Sequence, residues 1–142
     1  MQFNTYLSKN MSDIKITEQQ VDEIILDLIK KHLEDVNVEE EKFLDLLKHS
    51  LSLNTMEKKR VVDAVPTLSQ FQFDELTKVF TEEREKFREL AKEHPEDIKK
   101  LLKKQQSEWI MLWDLYMAEL ENKAKEDEAK RKEEEIKKSL GL

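Results

Sequence analysis

Apolar positions in the first ninety-odd residues recur at helical spacing, and the polar residues between them mark where each helix begins. Thr17-Glu18-Gln19-Gln20 reads as a capping box, with Thr17 as N-cap and Gln20 reaching back to it. Behind it Val21, Ile25, Leu28 and His32 share one face, and Leu26, Ile29, Leu33 and Val36 an adjacent one. Such a surface is wider than a single stripe and predicts a well-buried helix over about 18–35. Asn37 is the expected cap of a second helix over about 38–52, carrying Phe43, Leu46, Leu47 and Leu51. Leu53-Asn54-Thr55 is a turn, with Thr55 capping a short third helix that Pro66 ends near Val65. Ser69 and Gln72 form another capping box, ahead of a fourth helix over about 70–93 lined by Phe73, Leu76, Phe80, Phe87 and Leu90.

His94-Pro95 breaks this helix, and Pro95 suits the first turn of a fifth. Nothing stops the fifth helix before about Ser139. Its first half carries Ile98, Leu102, Gln105, Trp109, Leu112 and Tyr116, four and three apart, as in a coiled-coil seam that packs on the other helices. Its second half, Glu119 to Lys138, is nearly all Lys, Glu, Asp and Ala. Acids precede bases by four at Glu119/Lys123, Glu121/Lys125, Glu126/Lys130, Asp127/Arg131, Glu128/Lys132, Glu133/Lys137 and Glu134/Lys138. Each such pair adds about 0.2–0.5 kcal/mol to a helix. At ~1.5 Å per residue the fifth helix is roughly 65 Å long. A compact domain of this size has a radius of gyration of only about 14 Å, so the charged end must project.

Composition agrees with long helices. The chain has one Gly and two Pro in 142 residues, too few for the corners of a β-rich fold. Charged residues make up 40% and hydrophobic residues 38%, which argues against a fully compact globule. The expected fold is all-α: a bundle of about four N-terminal helices packed on a long C-terminal helix with a charged, projecting end. The expected division is a loose leader over 1–16 (Met11 offers an alternative start), a helical domain over 17–117 and a charged helical arm over 118–142.

Charge and residue types narrow the chemistry. The net charge is −7, and acids outnumber bases in each of the segments 1–65, 66–94 and 95–142. Binding to nucleic acid depends on neutralising phosphates with Lys and Arg, so none is expected as a main partner. No Cys is present, which removes thiol catalysis, disulfides and zinc-thiolate sites. The N-terminus lacks the basic start and apolar run of a secretory signal, and no apolar stretch approaches a membrane span. The cytoplasm is the default compartment.

None of His32, His49 and His94 has a Glu three residues before it, so the Glu-x-x-His motif of di-metal bundles is absent. Asp45 and His49 stand four apart, but two ligands do not make a metal site. Ser50 follows His49 directly, and adjacent helical residues do not face each other. A phosphate-cradling loop needs glycines, and an EF-hand loop starting at Asp35 fails at Glu40 and Leu46. No catalytic residue, metal, cofactor or small-molecule substrate is expected, and the chain reads as a non-enzyme.

Lys99, Lys100, Lys103 and Lys104 form one basic cluster before the tryptophans, which suits a membrane-surface helix. Glu96, Asp97, Glu108 and Asp114 cancel it, so a membrane role ranks low. More telling is Trp109 to Met117, apolar almost all around the helix and interrupted only by Asp114. One neighbour covers a stripe, not a circumference, so the stretch is either the centre of an intramolecular bundle or partly turned to another chain, since Trp, Tyr and Met are enriched in interface cores. With Trp109, Leu112 and Tyr116 assigned to the internal seam, Ile110, Trp113 and Met117 are the expected partner-binding residues. The expected function is a helical protein–protein interaction or assembly protein, most simply a homodimer through the fifth helix. The alternatives are a regulatory subunit that modulates another protein and a membrane-surface-associated helical protein.

Overall fold

The computed structural model of the chain describes residues 15–142. Among them lie five α-helices and no strand: α1 (Glu18–Ile29), α2 (Glu40–Lys48), α3 (Thr55–Ala64), α4 (Gln70–Glu93) and α5 (Pro95–Ser139). A 3-10 turn, Val65–Thr67, links α3 to α4. The all-helical bundle with one long C-terminal helix is therefore the architecture of the chain. The expected leader lies outside the described residues, apart from Lys15 and Ile16; Ile16 is half-buried against the core. The alternative start at Met11 also lies outside them.

Local chemistry explains where the helices begin. At α1, the Gln20 amide donates to the Thr17 hydroxyl at 3.2 Å, and the Thr17 amide donates to the Gln20 side chain at 2.8 Å. Ser69 and Gln72 make the same reciprocal pair at α4. Two expected caps are corrected. The cap of α3 is Asn54, boxed with Glu57, which frees the Thr55 hydroxyl to donate 2.8 Å to the carbonyl of Glu108 on α5. The N-cap of α2 is Glu39, with no side-chain cap bond. Asn37 serves a longer-range contact: its amide and carbonyl pair with the side chain of Gln70, at 2.7 and 3.0 Å.

The first two helices are also shorter than their apolar pattern predicts. Past Ile29 the chain runs through turns, and Asp35-Val36-Asn37 are poor helix formers. Turning there brings His32 within 3.0 Å of Glu40 and edge-on to Phe73, while Val36 reaches the core. The end of α2 is closed from outside, where Lys58 donates to the Lys48 carbonyl at 2.8 Å.

The core is a single cluster. Val21, Ile25 and Ile29 of α1 meet Phe43, Leu46 and Leu47 of α2, Val62 of α3, and Phe73 and Phe80 of α4. Phe43 packs against Phe73 and Phe80 at ring separations of 5.2 and 6.1 Å. Trp109, Leu112 and Tyr116 close it from α5, which packs against α1, α3 and α4. From Ala118 to Leu142 every residue is exposed. Gly141, at φ 74°, ends the chain's last turn, where its amide donates to the Lys138 carbonyl.

Candidate functional site

Helix α5 is held on the bundle by polar contacts at the rim of its buried seam. The Trp109 indole N–H donates to Asp22 at 2.8 Å, and Asp22 is paired with Lys48 at 3.1 Å. The Tyr116 hydroxyl donates to Asp63 at 3.0 Å. Lys59 lies between Asp63 and Glu119, with its ammonium 4.9 Å from the Tyr116 ring centre. Burial works against the Lys59 charge, but the two carboxylates outweigh it and raise its pKa. Burial, reinforced by Asp63, pushes the Tyr116 phenol well above its ordinary value. Among the described residues, Lys59–Glu119 is the last ion pair between the body and α5 before the exposed run of the arm.

Beneath this rim sits Lys58, fully buried, with its ammonium 5.9 Å from the Trp109 ring centre. Burial lowers its pKa to about 8, against the opposing pull of Glu108 and Glu83. Glu83 accepts from the Ser50 hydroxyl at 3.0 Å and from the Ser52 hydroxyl at 2.7 Å, tying the α2–α3 loop to α4. Neither Lys58 nor Glu83 was singled out by its spacing. Lys58-Lys59-Arg60 reads as a solvated run, and the serines that use Glu83 are more than thirty residues away.

The expected seam is buried at Gln105, Trp109, Leu112 and Tyr116, half-buried at Ile98 and largely exposed at Leu102. The expected partner-binding residues stand about a quarter turn away around the helix. Ile110, Trp113 and Met117 are each half-buried, and Trp113 and Met117 pack partly against the core. Leu120 continues their line one turn further and is 61% exposed; Ala124 follows, also exposed. On the far side of the helix Met111 is 53% exposed. The body thus covers part of the circumference from Trp109 to Met117 and leaves the rest uncovered.

Other chemistry-bearing groups are spent on one another. Asp45 receives Arg84 at 2.9 Å and His49 at 3.0 Å. Burial tends to raise the Asp45 carboxyl, but the Arg84 guanidinium and the hydrogen-bonding His49 ring hold it below its usual value. Among the described residues, no three His, Asp or Glu side chains converge as a metal-holding group. An apolar groove of about 330 Å³ runs between the end of α2, α4 and the start of α5, floored by Leu46, Phe80, Phe87 and Ile98 and edged by Arg84 and Arg88. Lys99, Lys100, Lys103 and Lys104 are exposed, with Lys99 3.4 Å from Glu96 and Lys104 3.7 Å from Glu108. No helix of the described residues is long and apolar enough to cross a membrane. Comparison of the chain with protein-family models, with curated proteins and with solved structures gives no match.

Proposed function

We propose that this chain is a non-enzymatic interaction or assembly protein, sought in the cytoplasm, that binds another protein chain through the Ile110, Trp113 and Met117 face of α5. The observation that carries the reading is the continuation of this face off the body, where Leu120 lies exposed at the start of the projecting arm. An apolar line that begins half-covered and ends uncovered is what a second helix would complete.

Trp113 and Met117 also pack on the core, so replacing them with Lys tests folding and binding together. Leu120 separates the two. A photoreactive amino acid placed at Leu120 in the full chain, in cells, is expected to give a covalent adduct with a protein. The same label at Glu126, exposed about a third of a turn around the helix from Leu120, is the control. Adducts at 120 and not at 126 support the interface; equal labelling at both sites, or none at 120, overturns it.

A further inference from the structure

Around the proposed contact line the arm carries an ordered arrangement of charge. Ile110, Trp113, Met117, Leu120 and Ala124 alternate three and four apart, the spacing of a two-stranded coiled-coil seam. The positions flanking one side of this seam, seven apart, are Asp114, Glu121, Glu128 and Glu135. Those flanking the other side are Tyr116, Lys123, Lys130 and Lys137. One flank is entirely acidic and the other, beyond Tyr116, entirely basic.

That asymmetry selects both partner and direction. In a parallel, in-register pair, each residue of one flank faces the opposite flank of the second helix five residues further on. Lys123 of one copy then meets Glu128 of the other, twice by symmetry, at the end of the apolar seam; Lys130 and Glu135 lie beyond it. In an antiparallel pair along the same line like flanks face each other: Asp114 meets Glu121, twice by symmetry, which is repulsive, and Lys123 meets Tyr116 and finds no acid. From the structure, we infer that the partner is a second copy of this chain, docked in parallel along the Ile110–Ala124 line. The inference rests on the proposed role of that face.

Two structural observations support it. Glu119, the sequence-expected partner of Lys123, is taken by Lys59 of the body. Lys123 and Lys130 take part in no ion pair among the described residues, whereas Lys137 of the same flank pairs with Glu133; Glu128 and Glu135 of the acidic flank hold Arg131, in exposed pairs that a partner lysine would share. The buried seam of α5 also points about a quarter turn away from the contact line. A two-fold axis parallel to the helices therefore points the two bundles to opposite sides of the helix pair.

The exposed Met111 is on the wrong face for self-pairing. The line through Met111, Leu115 and Ala118 is flanked by Glu119 and Glu126 on one side and by Glu121 and Glu128 on the other, so two copies repel there. The apolar seam ends at Ala124, because Asp127 takes the next position. The contact is short, and the dimer is expected to be weak and concentration-dependent.

The chain has no cysteine, so introduced thiols report without background. In the full-length protein, Ala124→Cys places two thiols across the two-fold axis, and a mild oxidant is expected to give a disulfide-linked dimer whose yield falls on dilution. Lys123→Glu with Lys130→Glu is expected to weaken self-association by roughly ten-fold or more, as like charges then face each other. Mixing that variant with Glu121→Lys, Glu128→Lys protein should restore association as a mixed dimer. All four positions are exposed, so the bundle is not at stake, and a helicity measurement checks that the arm, which depends on its own ion pairs, stays helical. Cross-linking of Ile110→Cys to Ala124→Cys, in place of Ala124→Cys to itself, would mean an antiparallel pair and would overturn the inference. A strictly monomeric wild type in light scattering would overturn it too. If the Leu120 label then captured a different protein, the interaction role would stand and only self-pairing would fall.

Discussion

Lys58 is the least expected residue in the fold, because an isolated ammonium is costly to bury. Here it donates to the Lys48 carbonyl, at the negative end of α2, and lies near the Trp109 ring. Its folded pKa of about 8 lies below the ordinary lysine value of 10.5. Between those values the unfolded chain holds a proton that the folded chain has released, so this group makes stability rise with pH from about 8 to 10.5. Tyr116 acts in the opposite sense. Its folded pKa is raised above 10.0, so its contribution is intact below that pH and is lost above it. Thermal melts should therefore show the midpoint climbing from about pH 8 to about 10, then falling. In Lys58→Met the climb should vanish and the fall remain; an unchanged climb in the variant would remove Lys58 as its cause. None of this was legible in the sequence, where burial of one lysine in a Lys-Lys-Arg run leaves no mark. The caps at Thr17 and Ser69 were legible, because both members of each reciprocal pair lie three residues apart. At Asn54-Thr55 either side chain can cap, and the long-range claim of Glu108 on Thr55 decides the matter.

At the scale of elements, α5 is the clearest case of pattern dictating structure, and α1 the clearest exception. The unbroken run from Pro95 to Ser139 is one helix because it contains no Gly or Pro after its first residue and because its charges support its distal half. The end of α1 depends on a His32–Glu40 contact and on the docking of Val36, which helical periodicity does not encode. The distal half of α5 buries nothing, so its helicity rests on local terms alone. Truncation just after Leu120 keeps the Lys59–Glu119 contact and should leave the thermal midpoint of the bundle nearly unchanged; a large drop would show that the arm supports the body. Circular dichroism at rising salt should show helix loss in the full chain before it appears in the truncated one, since exposed ion pairs are screened within ~3 Å at 1 M. Equal loss in both would mean that the ion pairs contribute little.

At the scale of the whole molecule, acidity is spread along the chain. The four lysines at the start of α5 are exposed beside Glu96, Asp97 and Glu108, and do not merge into a basic face. Mobility-shift titrations with duplex DNA and with RNA at physiological salt should therefore show no binding in the micromolar range. Tight binding that weakens steeply with added salt would contradict this. The single helix that joins body and arm has a mechanical consequence. No Gly or Pro interrupts α5 between Tyr116, the last buried residue, and Ser139. The arm therefore has no hinge of its own, and its direction is set by how the bundle grips Trp109, Leu112 and Tyr116. With some twenty residues beyond the Lys59–Glu119 contact, about 30 Å, a tilt of ~5° at the bundle carries the tip through ~3 Å. α5 is in that sense a lever with its fulcrum at Lys59 and Glu119. A change of packing too small to alter the core is displayed, enlarged, at the far end of the chain.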